Sequence, residues 1–279
     1  MTSLMPRNLY SNQRLIKAGI VGDFMINIRY RGMGLAHELQ NTVFTDYPKY
    51  GFDMLYTIPN ENAARALRRA GFEYAGMLRE YFKPIKLSYY LSKIMKYPLI
   101  RTAILLFERL LEVKYKIGIV SISDSCFEEL TRLDEPFDIF WKEYRANFQG
   151  IIGDHSSEFI KWKFFNNPEG HFRLISEKPL EGNKLNGFII FKIQHNKLVI
   201  YDMIEKNNDC RKLMKRIIQI AYNENCSGIY FSTLKDAPLA KGLIASGFFK
   251  TKNEVILLKT GSPIMNTERC FIFSGDRNL

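Results

Sequence analysis

The segment INIRYRGMGLAHELQ, residues 26–40, places two glycines and two arginines where an apolar stretch gives way to a helical pattern. Gly32 and Gly34 flank a single residue, and glycine allows left-handed turns and close approach of the backbone to another group. Amides at the start of a helix favour an anion such as a phosphate, and Arg29 and Arg31 add positive charge. These residues predict a phosphate-binding loop, with a glycine turn and a solvated arginine pair as the alternative.

Charge is unevenly distributed along the 279 residues, which carry 40 Lys and Arg against 29 Asp and Glu. Residues 1–116 hold 18 of the basic and 9 of the acidic residues. This excess favours an anionic partner for the first part: a phosphorylated cofactor, nucleic acid or an acidic membrane. A general lysine bias of the proteome is the alternative. Nucleic acid is not expected, because no basic-aromatic RNA-recognition motif is present.

The four cysteines and four histidines show no metal-ligand spacing, and the cysteines form no close pairs. The sequence therefore predicts neither a metal site nor a disulfide scaffold. Because the N-terminus lacks the apolar core of a signal peptide, we expect a cytoplasmic protein with reduced thiols.

The most apolar segment is YPLIRTAILLFERLLEVKYK, residues 97–116. Arg101, Glu108 and Arg109 interrupt it, so it falls short of the ~20 apolar residues of a membrane span. It predicts an amphipathic helix. Flanking lysines leave open a peripheral contact of residues 93–116 with an anionic membrane, and a linker helix packed between two domains is the alternative.

The chain contains an internal repeat. The stretches MLYTIPNENAARALRRAGF and IYFSTLKDAPLAKGLIASGFF each predict a strand, a loop, a helix and a Gly-Phe pair that opens another strand. In each, 14 positions separate the threonine from the glycine: Thr57 from Gly71, and Thr233 from Gly247. Such self-similarity indicates two related structural units.

The repeat extends upstream, where Asp23 and Asp202 each lie within an apolar strand that precedes a helix. We therefore expect a mixed α/β protein with two copies of a strand-helix-strand-helix-strand unit. The second copy has room for a front half, with residues 126–148 predicted as helices. The first has only 22 residues before Asp23, so we expect either an incomplete reading frame or a sheet edge that the second domain or another subunit covers.

These motifs resemble those of the GNAT superfamily of acyl-CoA N-acyltransferases, in which R/Q-x-x-G-x-G/A joins a strand to a helix. Arg31, Gly34 and Ala36 match that motif. The resemblance implies that acetyl-CoA is bound by the loop amides and by the preceding strand, predicted over residues 24–28, whose pairing splays open. The implied cofactor-binding residues of this region are Ile26, Ile28, Arg29, Arg31, Gly32, Met33, Gly34, Leu35 and Ala36.

The resemblance also covers the loop before the Ala-rich helix, where Asn60 and Asn62 match residues flanking the pantetheine and adenosine. Many members carry a tyrosine at the position of Leu67 to protonate the leaving thiolate. Because Leu67 cannot do so, Tyr56 and Tyr74 are the candidate acids, with water as the alternative. Asp23 is the candidate base, although the matching Asp202 equally favours a structural role.

The second copy has EKNNDCRKLM in place of the glycine loop and is expected to bind no coenzyme A. The expected domains are a partial GNAT domain with the acetyl-CoA loop (1–82), a linker helix (83–116), a degenerate GNAT-like domain (117–262) and a tail (263–279). The tandem arrangement resembles bacterial two-domain GNAT proteins encoded with surface-polysaccharide functions.

The expected reaction is N-acetylation of an amine, with an amino sugar as one acceptor class. Two alternatives stay open: a non-catalytic acyl-CoA-binding remnant or interaction protein, and a Fem-like aminoacyl transferase that uses aminoacyl-tRNA. The sequence also leaves open an oligomer in which another subunit covers the exposed sheet edge.

Overall fold

The computed structural model describes residues 2–22, 25–30, 32–91, 96–117, 125–168, 170–179, 184–207, 209–235, 237, 239–261 and 270–271. The helices are α1 Leu35–Asp46, α2 Glu61–Arg69, α3 Leu87–Tyr90, α4 Pro98–Ile117, α5 Glu135–Asn147, α6 Ser157–Ile160, α7 Arg211–Asn223 and α8 Leu239–Ala245. The strands are β1 Ser3–Ser11, β2 Arg14–Gly22, β3 Met54–Thr57, β4 Glu73–Pro84, β5 Ser125–Glu129, β6 Ile151–Gly153, β7 Phe172–Pro179, β8 Gly187–Gln194, β9 Lys197–Glu205, β10 Gly228–Leu234, β11 Phe249–Thr260 and β12 Cys270–Phe271.

Helices and mixed sheet confirm the predicted α/β class, and the chain divides into two compact units. Unit 1 comprises Met1–Arg79, Glu143–His155 and Asn253–Leu279. Unit 2 comprises Glu80–Lys142 and Ser156–Lys252. The units are thus assembled from separated segments, whereas the sequence had predicted continuous domains.

Unit 1 orders its strands β12-β6-β1-β2-β3-β11. Strands β1 and β2 form an antiparallel hairpin through Asn12 and Gln13, both with positive φ, as a two-residue turn between twisted strands requires. Strands β2 and β3 are parallel, because α1 carries the chain back between them. Its buried cluster comprises Val21, Phe44, Tyr47, Leu55, Ala64, Leu67, Phe72 and Leu257.

A segment from the middle of the chain covers part of the outer edge of β1. Strand β6 pairs antiparallel with β1 from Leu9 to Ser11, and Arg7 donates to the carbonyl of Asp154 at 3.0 Å. Strand β12, from the predicted tail, pairs in parallel with β6. The sheet edge that the sequence left without a partner is therefore covered over Leu9–Ser11 within unit 1 itself.

Unit 2 orders its strands β4-β10-β9-β8-β7-β5. Strands β8 and β9 form a hairpin, and the parallel pair β9 and β10 flanks the amphipathic helix α7, as in the first repeat. Residues 126–129 were predicted as part of a helix, and that prediction was wrong: they belong to β5. Pairing with β7 outweighs the weak helical preference of so short a run.

Helix α4 confirms the amphipathic helix predicted between the repeats, over Pro98–Ile117. In the described part of the chain, no helix combines the length and the apolar character needed to cross a bilayer.

The two repeats exchange their last strands. Strand β4 follows α2 in sequence, yet its residues 80–84 lie in unit 2 beside β10. Strand β11 follows α8, yet its residues 253–260 lie in unit 1 beside β3. This exchange explains why each unit needs segments from both halves of the chain.

Equivalent lysines accompany this exchange, each twelve positions after the glycine of its own repeat. In unit 1 the Lys259 ammonium donates to the carbonyl of Ala70 at the end of α2. In unit 2 the Lys83 ammonium donates to the carbonyl of Ser246 at the end of α8, at 2.9 Å. A cation at a helix C-terminus satisfies carbonyls that lack partners within the helix and complements the helix dipole.

Candidate acyl-CoA site

The candidate site lies at the edge of unit 1 where β2 and β3 end. The two strands run parallel, with Ala18 opposite Met54 and Ile20 opposite Tyr56. Their carboxyl ends therefore meet at one edge, and α1 and α2 both begin there. Ligands of α/β folds bind at such an edge, and two helix N-termini favour an anionic one.

The ladder between β2 and β3 is short. It covers three residue pairs ending at Ile20 and Tyr56, while β2 stays paired with β1 as far as Gly22. Beyond the ladder, the Thr57 hydroxyl donates to the carbonyl of Val21 at 2.9 Å. A side chain thus takes over one backbone acceptor where the strands stop pairing.

The strand predicted over residues 24–28 is wrong for residues 25–28, and Phe24 lies outside the described residues. Strand β2 ends at Gly22, and Ile28–Tyr30 form a 3-10 turn. Asn27 shapes this turn: its carbonyl accepts from the Tyr30 amide at 2.9 Å, and its side chain accepts from the Arg29 amide at 3.0 Å. Such local bonding by asparagine competes with strand pairing, so Ile26 lies in a loop and Ile28 begins the 3-10 turn.

The two glycines of the loop adopt a backbone conformation that other residues rarely adopt. Gly32 has φ +83° and Gly34 has φ +77°, in the left-handed region that glycine tolerates best. Among the described residues, the chain neighbours aside, no heavy atom lies within 4 Å of where a Cβ would stand at either position. Conformation therefore requires these glycines, and the space beside them is open.

Gly34 is also the N-cap residue of α1, and as a glycine it has no side chain that could cap that end. Leu35, the first residue of the helix, is 39% exposed. Amides at a helix N-terminus that its N-cap side chain does not occupy can bind an anion. The phosphate-binding loop predicted from the sequence thus has backbone geometry that suits it.

Apolar side chains surround the same loop. Ile28 is 75% exposed and Met33 is 66% exposed, with Met25 and Tyr30 also more than half exposed. Exposed apolar groups concentrated beside a helix N-terminus mark a surface that binds something. A ligand with a charged end and an apolar arm would contact both features.

The asparagines of the second loop have local partners. Asn60 is the N-cap of α2, where its Oδ1 accepts from the Ala63 amide at 2.9 Å. The Asn62 side chain accepts from Arg65 at 2.9 Å on the surface. Asn60 therefore stabilises α2 at the edge of the candidate site, which is a structural role alongside any contact with a ligand.

The candidate catalytic residues lie in different environments. Tyr56 is in the core at 1% exposure, whereas Tyr74 at the start of β4 is 54% exposed. Leu67 is buried against Phe44 and Phe72. Asp23 and Arg31 lie outside the described residues; for Ala36 only the helical backbone is described.

The equivalent loop of unit 2 already contains an anion. The Glu205 carboxylate accepts from the amides of Asn207 and Asp209, and burial raises its pKa. Asp209 pairs with Arg211 at 2.6 Å, and that hydrogen bond lowers the pKa of Asp209. Loop amides that a phosphate would need are thus engaged by an internal carboxylate.

Sequence reasoning identified the glycine loop but missed Asn27, Thr57 and Glu205. Asn27 follows a strand and precedes the glycines, a position typical of turn-forming asparagine. Glu205 carried a signal too, since an acid directly before a loop at a helix N-terminus suits its amides. Thr57 carried none, because its acceptor is known only from the strand register.

Comparisons with known proteins gave matches in structure alone. No family model and no curated protein matches the sequence. A GCN5-related N-acetyltransferase from Anabaena variabilis matches with a TM-score of 0.59 and 15% identity, over 93% of this chain and 59% of that one. A probable N-acyltransferase from Enterococcus faecalis matches with a TM-score of 0.62 and 13% identity, over 93% and 58%.

A third match is the N-myristoyltransferase of Saccharomyces cerevisiae with bound myristoyl-CoA, with a TM-score of 0.55 and 11% identity, over 93% of this chain and 63% of that one. The chain therefore spans about three fifths of the length of these structures. At such identities the likeness concerns architecture. The chain has the fold of the GCN5-related N-acetyltransferases.

Proposed function

We propose that unit 1 binds acetyl-CoA at the loop between β2 and α1 and transfers its acetyl group to an amine. The observation that carries the proposal is the pair of left-handed glycines, Gly32 and Gly34, facing open space before the uncapped start of α1. Solved structures of the same fold are N-acetyltransferases, and one holds myristoyl-CoA.

The residues present fit the charged end of such a donor. Amides at the α1 N-terminus and the guanidinium groups of Arg29 and Arg31 would hold its diphosphate. The exposed apolar groups of Ile28 and Met33 suit its pantetheine arm. Bound there, acetyl-CoA would supply the acyl group as a thioester.

The reaction forms a bond between the acceptor nitrogen and the acyl carbon, breaks the carbon–sulfur bond and moves one proton from nitrogen to sulfur. Asp23 accepts the amine proton in this proposal, and Tyr74 is the accessible group that returns one to sulfur. Tyr56 would serve only if its core position opened. An amino sugar remains the proposed acceptor class, since it presents an amine.

Binding without turnover is the second candidate, and Leu67 favours it. Many enzymes of this fold carry a tyrosine there, whereas this leucine packs in the core.

Release of free thiol from acetyl-CoA, measured with a panel of amines and amino sugars, separates acetyl transfer from binding without turnover. Turnover that falls at least about tenfold in Asp23→Asn supports acetyl transfer, because a general base contributes that much or more. Binding with no thiol release for any amine supports the remnant.

A further inference from the structure

Helix α4 presents an apolar stripe to solvent. The stripe consists of Leu99, Leu106, Leu110 and Val113, whose side chains are 87%, 60%, 69% and 43% exposed. Their spacing of seven, four and three residues puts them on one side of the helix. Large contiguous apolar exposure of this kind marks an interaction surface.

Contacts within unit 2 show that the stripe is the outer side of α4. On the opposite side, Glu108 accepts from the backbone amide and hydroxyl of Ser88. Tyr115 stacks on Tyr222 of α7, with ring centroids 5.2 Å apart. These contacts fix the rotation of the helix, so the stripe cannot turn inward.

Cations border the stripe on both sides. Helical spacing places Arg109 on one border and Lys114 on the other, and Lys96 lies two residues before the helix begins. All three are exposed. Of the two acids of the helix, Glu108 faces inward and Glu112 lies in a surface pair with Arg109 at 3.4 Å. The outer side therefore combines apolar groups with the cation Lys114 on one border and the Arg109–Glu112 pair on the other.

This charge pattern distinguishes between two partners that could cover the stripe, a second copy of α4 and an anionic lipid surface. The spacing of the stripe would also suit a second copy of α4, but a parallel pair would bring Arg109 of one copy beside Lys114 of the other. An anionic lipid surface instead attracts both borders while the stripe enters the boundary between headgroups and acyl chains.

We propose that α4 is a membrane-docking helix, which places the protein on a bilayer that contains anionic lipids. The apolar stripe inserts at the interface, and Lys96, Arg109 and Lys114 contact the headgroups. The inference is independent of the acyl-CoA site.

The test is sedimentation of the full-length protein with vesicles of phosphatidylcholine, with and without phosphatidylglycerol. We expect binding to the anionic vesicles, weakened by salt, and a loss of about tenfold or more in the double variant Leu106→Gln with Leu110→Gln. The matched control is Ile139→Gln with Ile244→Gln, which removes two exposed aliphatic groups from α5 and α8 and should bind like the wild type.

Charge is tested by Arg109→Gln with Lys114→Gln, which should reduce binding to anionic vesicles while the stripe is intact. Absence of binding by the wild type would overturn the proposal, as would equal binding by the Leu106→Gln with Leu110→Gln variant. Dimerisation without lipid that this variant abolishes, together with no vesicle binding, would identify a second copy as the occupant instead.

Discussion

At the residue scale, Asn60 combines two roles that a pair of substitutions separates. Its side chain caps α2 beside the proposed site. We predict that Asn60→Ala lowers the free energy of unfolding by about 1 kcal/mol, because a helix amide loses its acceptor.

Asn60→Asp keeps the acceptor and the stability but weakens acetyl-CoA binding, because it adds a carboxylate near the diphosphate. Urea unfolding and calorimetric titration check the two effects; equal affinity of Asn60→Asp and wild type would place the ligand elsewhere.

The second prediction at this scale concerns Glu205. Burial raises its folded-state pKa above the unfolded value of about 4.3. As pH falls through the folded pKa toward 4.3, the folded state takes up the proton first, so Glu205 increases the free energy of unfolding in that window. We expect Glu205→Gln to remove this gain, visible in urea unfolding as a free energy of unfolding that falls relative to that of the wild type as pH decreases from neutral toward about 4.3. Superimposable pH profiles would show that the carboxylate is not buried as described.

At the scale of elements, Lys83 joins the exchanged strand β4 to the end of α8, and Lys259 joins the exchanged strand β11 to the end of α2. Burial lowers the pKa of Lys83, so part of the gain from its hydrogen bond is offset by desolvation. We predict that Lys83→Met and Lys259→Met each lower the free energy of unfolding by about 1–2 kcal/mol, because a helix-terminal carbonyl loses a charged donor. Lys250→Met, at an exposed position of β11, is the control and should change stability by less than about 0.5 kcal/mol.

The elements themselves could largely be predicted from the sequence, and their partners could not. Apolar periodicity and the Gly-Phe pairs at Gly71 and Gly247 located both repeats with their helices. The exchange of β4 and β11 was not predictable, because the same apolar pattern suits either sheet edge. Likewise β6 is only three residues long. An alternation of apolar and polar residues cannot be recognised over so short a stretch, so the pairing of β6 with β1 was not predictable. Gly32 and Gly34 stood out in the sequence because two glycines just before a helix indicate a close approach of the backbone to another group.

At the scale of the whole molecule, the segmental make-up of the units has a direct consequence. Unit 1 needs β6 and residues 253–260 of β11, which pair with β1 and β3. We predict that a fragment of residues 1–82 alone does not fold, because unpaired strand edges and the open core would face water. Co-expression of 1–116 with 117–279 should restore the structure. Circular dichroism and amide exchange check this, and a cooperatively folded 1–82 fragment would contradict the exchange.

The most direct test of the central claim is calorimetric titration of the full-length protein with acetyl-CoA, comparing Gly34→Glu with Gly51→Glu. Both glycines have positive φ, at +77° and +79°, and in the described part of the chain no atom other than those of the chain neighbours lies within 4 Å of a Cβ at either. The backbone strain and the charge change of the two variants therefore match. Gly51 lies beyond the opposite end of α1. We predict one site per chain, because Glu205 engages the loop of unit 2, with affinity reduced at least about tenfold in Gly34→Glu alone. Equal affinity in the two variants, or no binding by the folded wild type, would contradict the assignment of this loop as an acyl-CoA site.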